Sequence, residues 1–72
     1  MNRDKLKHDL FEATLKHHKK FCEYRDKFGK WDRSTAFERA RYQALFDVIT
    51  RSGLEYEYLF WVEEQDKREA TA

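Results

Sequence analysis

The chain has 72 residues, of which 40% are charged and 17% aromatic, and its 15 basic and 14 acidic groups leave a net charge of +1. One domain is therefore expected over residues 1–72, and the absence of Pro with only two Gly argues against a turn-rich all-β fold or a flexible linker. Leu, Ile, Val and Phe make up about a fifth of the chain, near the level where disorder sets in if net charge is high, but the low net charge favours a folded state.

The longest apolar run, Tyr58 to Val62, falls far short of the ~18–20 residues a bilayer crossing needs. Charged residues break up the N-terminal stretch, so neither a secretory signal nor a transit peptide is expected. Cys22 is the single cysteine and has no intrachain disulfide partner, so a reducing, cytoplasmic setting is the expectation. A core this small rarely supplies more than ~3–5 kcal/mol without a staple, which makes self-association the expected supplement.

The first segment, Asp4 to Phe28, reads as a long helix. Leu6, Leu10, Ala13, His17, Phe21, Tyr24 and Phe28 recur three or four residues apart and fall on one stripe. Phe11, Leu15, His18 and Cys22 form a second row beside it. Together they cover about half the circumference at ~100° per residue, so this helix is expected to touch two neighbours. Phe21 is expected to be buried in the first row. Gly29 follows as a stop.

A second helix is expected to begin at Asp32 as N-cap, or three residues later at Thr35 with Glu38 as a capping box. Phe37, Tyr42, Ala44, Leu45, Phe46, Val48 and Ile49 give it a broad apolar arc, and Gly53 marks its end. The third segment, Leu54 to Asp66, has two periodicities. Leu54, Tyr56, Tyr58, Phe60 and Val62 alternate as a strand would, whereas Leu54, Tyr58, Trp61 and Gln65 step as a helix does. A lone strand would need a partner across a dimer, so a helix is favoured. Residues 69–72 are expected to fray. The fold class is thus all-α: a long helical hairpin plus a shorter C-terminal helix, self-associated.

Residues 1–33 hold 10 basic and 6 acidic groups, and residues 34–72 hold 5 and 8. Antiparallel packing could set these halves against each other, within one chain or between two. Each could equally be a solvated surface.

No cofactor or metal is expected. His18 and Cys22, one turn apart, offer only two of the four ligands a structural zinc needs. Cys22 is more simply a small buried hydrophobe, and His17 a core histidine satisfied by a tyrosine or carboxylate. No Gly-rich phosphate loop or nucleophile with an orienting base can be argued, so no enzyme is expected. The aromatic excess is the informative feature. Tyr56, Tyr58, Phe60 and Trp61 form the densest cluster, of the residue types that anchor interfaces. The expected function is a protein-interaction module that self-associates, a small regulator or inhibitor that masks a partner's surface. The alternative is a nucleic-acid accessory protein using Lys16, Lys19, Lys20, Lys27, Lys30 and Arg33. In general style the chain is similar to small accessory proteins of bacteria and their phages; no motif ties it to a family.

Overall fold

A computed structural model describes residues 3–71 as three helices: α1 (Arg3–Phe28), α2 (Arg33–Arg51) and α3 (Glu55–Thr71). Among the described residues there is no strand. The ambiguous third segment is helical because a helix closes its own backbone hydrogen bonds, beginning with Tyr58 N–H donating to the Leu54 carbonyl at 2.9 Å. α3 continues to Thr71, and Ala72 lies outside the described residues.

The two glycines stop their helices in different ways. Gly29 adopts φ +94°, and its N–H donates to the Arg25 carbonyl, a single-bond left-handed cap. Gly53, at φ +73°, sits in a double-bond cap. Its N–H reaches Thr50 O, and Leu54 N–H reaches back to Ile49 O. The apolar contact that accompanies such a cap is present, since Leu54 packs on the cluster that holds Ile49. α2 starts from Asp32, whose carboxylate accepts from Ser34 N–H at 2.9 Å. The rival start at Thr35 and Glu38 is displaced: both residues are buried inside the helix's packed face.

The chain runs up, down and up again. Lys7 pairs with Glu57 and Lys19 with Glu69, which sets α3 parallel to α1 at a constant offset. Both bridges join basic α1 to acidic α3 inside one chain, and they do so between parallel helices and not the antiparallel ones the charge asymmetry suggested. The body measures 39 × 31 × 20 Å, its long axis matching the ~39 Å length of a 26-residue helix.

Among the described residues Phe11, Ile49 and Tyr58 form the fully buried apolar core, with Leu10, Phe46, Leu54, Trp61 and Val62 packed around it. α1 does touch two neighbours, but its two apolar rows share the burial unequally. Phe11, from the second row, is 1% exposed. Phe21, expected to be buried in the first, is only half-buried, with the Arg25 guanidinium 5.5 Å from its ring centre. Leu6 and Phe28, also in the first row, are 60% and 57% exposed. The cause is the placement of α3, which meets the second row at Phe11 and beside Leu15 and draws the core toward that end. Further along the row His18 rests on Tyr42 of α2.

A candidate interaction surface

The helical phase of α3 divides the aromatic cluster between two roles. Tyr58 and Trp61, three residues apart, face inward. The Tyr58 ring meets Phe11 edge-on at 5.3 Å and Phe46 at 5.9 Å, and Trp61 lies 5.7 Å from Phe11. Burial, helped by the neighbouring Tyr42, pushes the Tyr58 hydroxyl pKa up to about 12. Tyr56 and Phe60, four residues apart, face outward and are 86% and 66% exposed. Leu59 is exposed beside them. The four predicted anchors are therefore two core residues and two surface residues.

A second apolar surface lies along the α1–α2 seam. Ala13, His17, Arg41, Ala44 and Leu45 line one shallow depression there, and Tyr24, Arg33, Ser34, Phe37 and Glu38 line the next. Between the two runs the His17–Glu38 pair, Nδ1 to Oε2 at 2.6 Å, with Glu38 buried. His17 is thus a packed histidine satisfied by a carboxylate. Phe37, 55% exposed, is covered on one side by Arg41 at 4.6 Å, and Val48 is 49% exposed one turn beyond Ala44. Sequence periodicity assigned Phe37 and Val48 to an apolar arc without showing that they would stay uncovered. The signal was available in arc width: two broad apolar arcs exceed what one 17-residue third helix can cover.

The basic residues are dispersed. Lys19 is committed to Glu69, and Lys27 to Glu23 at 2.9 Å, a pairing that holds the Lys27 ammonium pKa above its ordinary value. Lys20 is half-buried. Lys16 lines a depression next to Trp61 on the α1–α3 side, whereas Arg33 lines the seam. Lys30 lies 5.5 Å from the ring of Trp31, which is 86% exposed in the turn between α1 and α2.

His18 Nε2 and Cys22 Sγ are 3.9 Å apart, and the His18 ring rests on Tyr42 at 4.7 Å. Among the described residues no three His, Cys, Asp or Glu side chains come together as metal ligands. No described helix is long and apolar enough to cross a membrane.

Fold and surface together define an all-α, three-helix chain with apolar surface on two sides. No family model matches the chain, and neither a curated protein nor a solved structure is similar to it.

Proposed function

We propose that the chain is a non-catalytic protein-interaction module that self-associates and acts as a small regulator or inhibitor by masking a partner's surface. The observation that carries this reading is the imbalance of apolar burial. Three apolar side chains are fully buried, whereas eight large ones among the described residues are 49–86% exposed. Exposed apolar residues scattered singly are ordinary, but contiguous ones mark contact surfaces. Here they fall on helix faces: Tyr56, Leu59 and Phe60 on α3, and Phe37 with Val48 beside the seam.

Capture of binding proteins with wild-type chain and with the double variant Tyr56→Ser, Phe60→Ser tests the masking role. The variant should keep wild-type helix content and melting while losing both the captured protein and part of its self-association. Equal capture and equal mass for the two chains would contradict the role. Trp61→Ala would not separate binding from folding, because Trp61 packs on Phe11 and Tyr58.

A second reading, contact with single-stranded nucleic acid at the α1–α2 turn, is favoured by one observation. Exposed Trp31, flanked by Lys30 and Arg33, combines a stacking surface with cations. Salt-sensitive binding to generic single-stranded DNA that Trp31→Ala abolishes would support it over the first.

A further inference from the structure

The two exposed apolar surfaces differ in charge. α2 carries Arg33, Arg39, Arg41 and Arg51 against Glu38 and Asp47. Both acids are already engaged, Glu38 by His17 and Asp47 by Arg51. Arg33 and Arg41 line the seam itself. α3 is the reverse, although Glu57 and Glu69 are committed to α1. Of the remaining acids, Glu55, Glu63, Glu64 and Asp66, two share Lys67 at 3.8 and 4.0 Å, so the helix stays net negative even with Arg68. Its exposed Tyr56, Leu59 and Phe60 stand next to Glu63, one turn further along.

The surfaces also match in form. The seam between two antiparallel helices carries two shallow depressions in line, and the small residues Ala13 and Ala44 line one of them. A helix can approach closely there and seat apolar side chains at i, i+3 and i+4; Tyr56, Leu59 and Phe60 have that spacing. From Ala13 to Tyr24 the seam spans about 16 Å, and α3 from Tyr56 to Lys67 spans the same length at ~1.5 Å per residue.

We propose that a second copy of this chain occupies the seam, laying the outer face of its α3 into the α1–α2 groove, with Glu63 and Asp66 toward Arg33 and Arg41. The proposal rests on the self-association reading above and adds the surfaces and their polarity. Seam-to-seam pairing of two copies is disfavoured, because it brings two arginine-lined grooves together. No α3 residue lines the two seam depressions, and Tyr56, Leu59 and Phe60 keep most or half of their surface open, although Phe60 also borders a depression between α1 and α3. Such a contact is heterologous: it adds copies head to tail and does not close a pair about a two-fold axis.

Two charge-reversed chains test it by sedimentation, with circular dichroism confirming that each keeps its helices. One carries Arg33→Glu and Arg41→Glu, the other Glu63→Lys and Asp66→Lys. These positions lie outside the Phe11 core, and the neutral set (Arg→Gln; Glu→Gln with Asp→Asn) replaces any reversal that unfolds. Wild-type mass should rise with concentration past two chains. Each reversed chain alone should sediment as a single chain, and an equimolar mixture should associate again. Two results overturn the docking mode but leave self-association standing: a mixture that stays single-chain while wild type associates, or a reversed chain that associates as well as wild type. A wild type that stays single-chain at every concentration overturns self-association and this proposal together.

Discussion

The two apolar rows of α1 look alike in sequence and differ sharply in the fold. The first row, from Leu6 to Phe28, has seven members at regular spacing; the second, from Phe11 to Cys22, has four. Yet the α1 side chain in the buried apolar cluster, Phe11, comes from the shorter row, with Leu10 of the longer row packed beside it. Phe11 contacts Tyr58 and Trp61, whereas Leu6 and Phe28 are more than half exposed. Periodicity identifies which faces of a helix are apolar, but burial depends on where the next helix lands. α3 lands on the Phe11 end of the second row and is tied to α1 by Lys7–Glu57 and Lys19–Glu69.

The largest expected effect sets the rows apart in energy. Phe11→Ala should cost about 3–5 kcal/mol, the range for emptying a buried aromatic site. That is enough to unfold much of a small domain. A loss below about 1 kcal/mol in denaturant melts would mean that α3 does not cover Phe11.

The seam has one polar fastening, and removing it should come next in size. Glu38→Ala leaves His17 without its carboxylate in a largely buried setting, at a cost of about 1.5–3 kcal/mol for a hydrogen bond of this kind. Urea melts of the two chains would show it as a lower midpoint with an unchanged slope.

Alkaline pH probes the core side of the comparison through Tyr58. Its folded pKa, raised to about 12, lies above the ordinary tyrosine value of 10.0. The contribution it makes is therefore fully present below pH 10 and is lost as pH rises through about 12. Tyr58→Phe keeps the ring and removes the ionisation, so the variant's melting temperature should fall less steeply across that window. Parallel decline in both chains would place the Tyr58 hydroxyl in solvent.

Phe28→Ala should have the smallest effect, within about 0.5 kcal/mol in dilute solution, as for an exposed substitution. A loss as large as that of Phe11→Ala would reverse the assignment of the two rows.

Much of the fold was legible in the sequence, and for identifiable reasons. Gly29, Gly53 and Asp32 mark helix ends through local chemistry that needs no tertiary contact. The width of α1's apolar arc announced two neighbours. His17's carboxylate partner was expected as a type, although Glu38 itself was assigned to a capping box. What could not be read was which copy of a repeated pattern is covered. Phe21 and Phe11 are equally apolar, and only the position of α3 distinguishes them. The same limit split the Tyr56–Trp61 cluster: its residues are adjacent in sequence, but helical phase sends Tyr58 inward and Tyr56 outward. Two competing periods in that segment hid the phase until the helix was known.

Nuclear magnetic resonance with a soluble paramagnetic agent tests the division of α1 most directly, because it reports each side chain's contact with solvent at chosen protein concentrations. Phe11 should be protected at every concentration. Leu6 and Phe28 should be strongly attenuated in dilute solution, and Tyr24, which lines the seam, should gain protection as concentration rises and copies associate. Attenuation of Phe11 equal to that of Phe28, or a Tyr24 whose attenuation is the same at every concentration, would contradict a molecule with Phe11 in its core and the seam open to a partner.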